Sequence, residues 1–421
     1  MNALLVAIGS HGDVHPFVGI GLGLRARGHD VTVMANGHFE SLVRRAGLGF
    51  EPVGTAEEYH AMALQPDLWH PLKGFRLVME GTVQAMRPVY QLIAERYVPG
   101  DTVVVSSTLG LGARVAQDKH GVPTATAQLQ PSILRTVHET PRLPGSPMRP
   151  WHPQWLKRAT WWLADKWMID PTLAPAINAF RAELGLPPVN RIMKDWWNSP
   201  DRVIGLFPDW FARPQPDWPP QTRLTNFPLY DEKGLDPMPG ELARFLDAGD
   251  KPIAFTPGSA MWHGRAFFDA AVGTCRLLNR RGVLLSRRIE HVPPDLPPRV
   301  IHVNYAPFSE LLPRCAALVH HGGIGTASQA LAAGIPQLVT PMAHDQFDNA
   351  ERLERLGVAK ALPVTRFRPG PAAGLLNELL TSPAVAASGN RVKDRLRGAD
   401  GIGQTCDVIE QIIPATARER G

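Results

Sequence analysis

"LVHHGGIGT", residues 318–326, is the stretch from which the fold of this chain can be read. An apolar run ends in two histidines, passes through a glycine-rich turn and closes on a hydroxyl residue. A helix that starts straight after such a turn has unpaired N–H groups and partial positive charge at its mouth, so it can cradle phosphate oxygens. The pattern predicts a buried strand over "AALVH" and a helix over about 326–333. Gly322, Gly323 and Gly325 let backbone approach an anion closely, Thr326 offers a hydroxyl and His321 a ring N–H. A tight strand-to-helix turn with two surface histidines would read the same in isolation. The turn lacks the lysine of a Walker loop and the spacing of a G-x-G-x-x-G dinucleotide turn. "GIGLG" at 19–23 falls inside an expected helix and is no better a candidate.

The neighbours of the turn sharpen its chemistry. Downstream, "PQLVTP" reads as another strand and "MAHDQFDNAERL" as a helix opening at Asp345 and Gln346. A carboxylate beside an amide suits vicinal sugar hydroxyls, the first accepting and the second both accepting and donating. Upstream, "VNYAPFSELLP" sets Tyr305 and Phe308 around a proline, an arrangement suited to stacking a base. Phosphate turn, polyol clamp and aromatic shelf together describe a nucleotide-sugar site.

Outward from there, strands alternate with helices along most of the chain. "ALLVAIG", a loop "SHGDVHP", a helix across 16–27 and "HDVTVMAN" open it; "TVVVSS" and "GVPTATA" continue the pattern. The proline-rich stretch 211–240 has no period. Beyond it the alternation restarts with "KPIAFTPGS", "GVLLS" and "RVIHVNY". Such alternation implies parallel sheets covered by helices. The α/β class follows, with two doubly wound, Rossmann-like domains facing across a cleft between strand C-termini. We expect an N-terminal domain over 1–225, which the family resemblance of its motifs implies to be the acceptor domain, a linker over 226–245 and a nucleotide-sugar domain over 246–400. A C-terminal helix and tail, 401–421, could cross back to the first domain.

Composition narrows the function classes. A length of 421 residues suits two or three domains, and 44% hydrophobic with 20% charged residues reads as globular. The net charge of +5 is mild and spread out, and the cluster "RVKDRLRG" reads as a solvated helix face, so nucleic acid is not an expected partner. Cys275, Cys315 and Cys406 lie far apart, which suits a reducing cytoplasm rather than a disulfide or metal framework. No apolar run approaches a bilayer span, and the N-terminus reads as a first strand rather than a signal peptide. No G-x-S-x-G elbow or catalytic-cysteine context supports a hydrolase.

"GSHGDVHPF" follows the first strand, and Asp13 stands in it with His11 and His15 on either side. Helix capping is the ordinary job of aspartate in such a place. Three close ligands without a fourth make a poor zinc site, and no metal or other cofactor is expected. Further on, nine of the eleven tryptophans lie between Trp151 and Trp218. "WLKRATWWLADKWMID" reads as a helix that packs within the domain, lines a greasy acceptor pocket or lies on an anionic membrane.

With these motifs in view, "HHGGIGT…AAGIPQLVTPMAHDQFDNA" and "GSHGDVHPF" resemble the family 1 nucleotide-sugar glycosyltransferases of GT-B fold. "AIGSHGDVHPF", "FPDWFARPQPDWP", "FTPGS" and "AHDQFDNAERLERLG" resemble the catalytic chain of bacterial rhamnolipid rhamnosyltransferases over nearly the whole length. Sterol and glycopeptide-antibiotic glucosyltransferases are more distant in pattern. The resemblance implies an inverting, metal-independent transfer of a hexose or deoxyhexose from a UDP- or dTDP-sugar, the co-substrate, to a hydroxyl of an apolar acceptor. It implies Asp13 as base, His321, Gly323, Gly325 and Thr326 on the pyrophosphate with Ser259 nearby, Tyr305 on the base, and Asp345 and Gln346 on the sugar. "LLSRR" at 284–288 is similar to the "LSRG" of the antibiotic enzymes, and Arg287 there either contacts phosphate or faces solvent. A catalytically silent nucleotide-sugar-binding partner subunit is the alternative of another class, and a Rossmann dehydrogenase is a third. Peripheral contact with the inner membrane face is compatible with the tryptophan-rich stretch.

Overall fold

The Val-, Leu- and Ala-rich runs form strands buried on both faces, as parallel sheets covered by helices require. In a computed structural model, which describes residues 1–70, 73–258 and 264–412, the chain divides into two units. One comprises Met1–Pro228 together with the chain from Asp400 onward; the other is Leu229–Ala399.

The first unit holds seven parallel strands: β1 (Asn2–Val6), β2 (Asp30–Ala35), β3 (Gly49–Pro52), β4 (Thr102–Ser107), β5 (Thr124–Gln128), β6 (Arg202–Gly205) and β7 (Thr222–Leu224). They lie in the order β3-β2-β1-β4-β5-β6-β7, with Leu4 opposite both Thr32 and Val104. Leu4, Val6 and Val104 pack with Met86, Val89 and Ile93 of the helix Lys73–Arg96. The second unit holds β8 (Ile253–Thr256), β9 (Gly282–Leu285), β10 (Val300–Val303), β11 (Ala317–His320), β12 (Gln337–Val339) and β13 (Ala359–Ala361). Their order is β10-β9-β8-β11-β12-β13, and Phe255 stands opposite Leu284 and Val319 at the centre. Each sheet therefore reverses its winding once, beside β1 and beside β8. Ligands of open α/β sheets bind at the strand C-termini of that reversal. Asp13 follows β1, and the turn at 321–326 follows β11.

Several local outcomes differ from the sequence reading. "SHGDVHP" is mostly helix: Ser10 is the N-cap and the helix runs His11–Ala26 with Pro16 inside it. The proline-rich stretch carries β7, a short edge strand whose half-exposed residues leave no apolar signature. The aromatic segment is a helix, Gln154–Ala164, that passes through a π-turn at Asp165–Ile169 into the helix Asp170–Glu183. At the far end the helix Gly401–Glu410 packs against His11–Ala26 within the first unit. A Cβ on Gly23 would come within 2.6 Å of Ile402, and Arg27 pairs with Asp407 at 2.7 Å and Glu410 at 2.9 Å. Among the described residues no helix is long and apolar enough to cross a membrane.

Candidate active site

Two histidines that look alike in sequence have different surroundings. His320 ends β11, fully buried, with Nε2 at 2.9 Å from Gln337 Oε1 and Nδ1 accepting the Gly322 N–H at 3.2 Å. These partners fix one neutral tautomer, Nε2–H, and burial pulls its pKa down to about 3. His321 turns the other way. Its ring packs between two glycines: a Cβ on Gly258 would lie 2.7 Å from Cε1, and one on Gly323 2.5 Å from Nε2. Burial lowers its pKa to about 4, and its buried Nδ1 has no hydrogen-bond partner among the described residues. His321 is thus a neutral imidazole held at the mouth of a helix.

That helix, Ile324–Ala333, starts two residues earlier than the sequence pattern suggests, with Gly323 as N-cap. Gly325 and Thr326 therefore belong to its first turn, where N–H groups lack intrahelical acceptors. Nothing lies within 4 Å of where a Gly325 Cβ would be. Gly322 has φ +99°, a left-handed conformation open to glycine and poor for other residues.

Asp345 stands at the N-cap position of the helix Gln346–Arg355, so Asp345 and Gln346 open a helix as the motif suggests. Asn349, one turn on and fully buried, joins the two halves of the site: its Nδ2 donates to the Gly322 carbonyl at 2.9 Å and to Asp345 Oδ2 at 2.7 Å. The sequence reading passed over Asn349, although its i+4 spacing from Asp345 in "DQFDN" puts both on one helix face. Gln346 is buried, and its Oε1 accepts the backbone N–H groups of Met342 and Ala343 at 2.8 and 3.2 Å. Its carbonyl oxygen is thereby occupied, so towards a sugar it can only donate. Between them His344 takes a left-handed φ of 55°, a conformation held by this bracing.

Tyr305 follows β10, and its hydroxyl donates to the Asp231 carbonyl. Burial and the neighbouring Glu232 and Asp231 push that hydroxyl far above its ordinary pKa. The Arg287 guanidinium lies over the ring, 5.1 Å from its centroid, and 3.9 Å from the buried Glu232 carboxylate. Arg287 thus covers one face of the aromatic shelf, an arrangement absent from either sequence reading of it. Ser259 lies outside the described residues.

In the first unit, Asp13 does what aspartates do early in helices: its Oδ2 accepts the Ser10 N–H at 2.7 Å and the Ser10 hydroxyl at 3.0 Å. Burial raises its pKa and outweighs the lowering by these two bonds. An aromatic cluster that sequence spacing does not reveal is built on the same helix. His11 packs edge-on against His15, His38 and Phe39, and His38 stacks on Tyr59 at 4.4 Å. The contacts join the helix after β1 to the segment after β2, positions distant in sequence.

Both halves of the chain match known families. Residues 3–139 match the glycosyltransferase family 28 N-terminal domain, and 283–399 match the erythromycin biosynthesis protein CIII-like C-terminal domain. The O-mycaminosyltylonolide 6-deoxyallosyltransferase of Streptomyces fradiae is 30% identical, over 98% of this chain and 97% of its own. The chain belongs to the glycosyltransferases. Two solved structures share the transferase's fold: the glycotransferase of kitacinnamycin and spinosyn rhamnosyltransferase SpnG complexed with thymidine diphosphate. The first has a TM-score of 0.75 at 23% identity and covers 98% of this chain and 99% of its own. The second has 0.70 at 18% and covers 97% and 100%. The architecture is GT-B, two parallel-sheet α/β domains. This kinship includes antibiotic-type glycosyltransferases and is not specific to rhamnolipid rhamnosyltransferases.

Proposed function

We propose that the transferase moves a hexose or deoxyhexose from a nucleoside diphosphate to a hydroxyl of an apolar acceptor, in the cytoplasm, with inversion and without a metal. The observation that carries this reading is the neutral His321 at the mouth of the helix Ile324–Ala333, linked through Gly322 and Asn349 to Asp345. A helix mouth stabilises the charge that develops on a leaving diphosphate. With its pKa near 4, His321 acts as a hydrogen-bond donor there and not as a cation. Asp345 accepts sugar hydroxyls and Gln346 donates to one. Tyr305 offers the base its face away from Arg287.

Asp13 is the proposed base. The acceptor oxygen attacks the anomeric carbon from the side opposite the diphosphate and gives its proton to Asp13, while the bond to diphosphate breaks with its electron pair. Both Ser10 bonds fall on Oδ2, which leaves Oδ1 for the proton, and the raised pKa suits a carboxylate that must accept one. Between UDP and dTDP, the relative named a 6-deoxyallosyltransferase and the fold neighbour solved with thymidine diphosphate favour a dTDP-6-deoxyhexose. The antibiotic-type kinship favours a polycyclic or otherwise apolar alcohol as acceptor.

Thermal shift with dTDP, UDP and GDP tests the donor half. A ligand at a hundred times its Kd adds about 2.7 kcal/mol of stability, so dTDP should raise Tm most and His321→Ala should shrink that rise. No shift with any of the three nucleotides would remove the donor assignment.

A further inference from the structure

Seven of the nine tryptophans of 151–218 lie at two extremes, and Trp161 and Trp210 are half-buried. Trp196, Trp197 and Trp218 are buried in the first unit. Trp151, Trp155, Trp162 and Trp167 are 77%, 68%, 53% and 71% exposed, with Leu163 and Met168 beside them. Indoles left in water at this density mark a surface made to be covered. Trp155, Arg158 and Trp162 follow one another at helical spacing on Gln154–Ala164, so they share a face. The π-turn Asp165–Ile169 extends that face to Lys166 and Trp167. Lys166 Nζ sits 4.9 Å from the Trp162 ring and 5.2 Å from the Trp167 ring.

The exposed charges from 149 to 168 all have one sign; Asp170, which shares a hollow with Trp162 and Lys166, is occupied by the backbone N–H groups of Arg191 and Ile192. From 149 to 168 the only carboxylate is Asp165, and it is buried and paired with Arg135 at 2.5 Å. Lys157 is buried too, its Nζ on the carbonyls of Pro150 and Val137 at 2.9 and 3.3 Å. What remains exposed is Arg149, Arg158 and Lys166 among four indoles. Indole has an apolar body and a polar N–H, and it concentrates where hydrocarbon meets headgroup; cations interleaved with it match lipid phosphate.

We propose that this face docks on the surface of an anionic lipid bilayer, with the indoles at headgroup depth and Arg149, Arg158 and Lys166 against lipid phosphates. No helix among the described residues is fit to span, so the contact is peripheral and reversible. It does not depend on the donor or acceptor assigned above.

Sedimentation of the full chain with vesicles tests it. Binding should be firm to phosphatidylcholine mixed with phosphatidylglycerol, weaker to phosphatidylcholine alone, and reduced by salt. Trp155→Ser, Trp162→Ser and Trp167→Ser together should lower partitioning by at least about a hundredfold. The pair Arg158→Glu and Lys166→Glu should lower it about tenfold or more, with unchanged thermal melts because these side chains are exposed. If the triple variant melts early, the charge-reversed pair decides. Wild-type protein that stays in the supernatant with anionic vesicles overturns the proposal. So does partitioning that neither variant alters, or a wild-type dimer in light scattering that the triple variant dissolves without any vesicle binding.

Discussion

At the scale of single residues, the two histidines at the end of β11 divide the work. His320 braces the turn from below and His321 faces the helix mouth. His321→Ala should weaken nucleotide binding by about 1–3 kcal/mol and lower turnover further, because the leaving group loses a donor as its charge grows. Titration calorimetry with dTDP and a turnover assay check this, and unchanged values in both would take His321 out of the site. Both rings also make stability depend on pH. Their pKa values, about 3 and about 4 in the fold, lie below the ordinary 6.5, so the unfolded chain takes up protons first as pH falls. This contribution is fully present above pH 6.5 and drains away as pH falls from there through 4 for His321 and towards 3 for His320, by a few kcal/mol. Urea unfolding at pH 7 and pH 5 should show a smaller loss for His320→Gln than for wild type; equal losses would contradict the argument. The sequence displayed the pair and the glycines but not which ring faces where. That depends on Gln337 of β12 and on Gly258 just after β8, and no local pattern encodes them.

Elements decide how the other candidates are tested. The Ser10–Asp13 contact both starts the helix His11–Ala26 and occupies one oxygen of the proposed base. Asp13→Asn can still accept the Ser10 N–H, so the cap should lose about 1 kcal/mol or less. As the base it should cost transfer about 10²–10⁴-fold. A stable, donor-binding but nearly inactive variant is the expected result, whereas near wild-type turnover would leave Asp13 with capping alone. Gln346→Ala is a poor probe of the sugar clamp, because it strands two buried N–H donors at about 1–3 kcal/mol. Gln346→Glu keeps the acceptor and loses the donor. It should fold normally, bind free dTDP as wild type does and transfer slowly; equal loss of affinity for dTDP with and without its sugar would rule the clamp out. Elements were legible where burial is two-sided, as in "TVVVSS" or "AALVHH". They were illegible at the edges: β7, and β13 with its Ala-Lys-Ala, are too short and too exposed to carry a period. The aromatic cluster of His11, His38 and Tyr59 escaped notice because it joins segments that meet only after β1 and β2 pair.

Over the whole molecule, the first unit is built from two separated pieces of chain. Cys406 and Ile409 of the helix Gly401–Glu410 are fully buried there, and Thr405 bonds Thr225 at 3.1 Å. Deleting everything from Asp400 should therefore cost the first unit on the order of 3–6 kcal/mol. Scanning calorimetry should show an earlier transition while dTDP still stabilises the second unit; an unchanged trace would mean that the helix adds nothing. This two-piece construction also sets an order of events during synthesis. Domains ordinarily become whole in the order in which the ribosome makes them. Here residues 229–399 can emerge complete while the helix His11–Ala26, made long before, still shows an uncovered flank at Gly23. The first unit begins to form before the second yet is completed after it, because it waits for the helix Gly401–Glu410 before it can close.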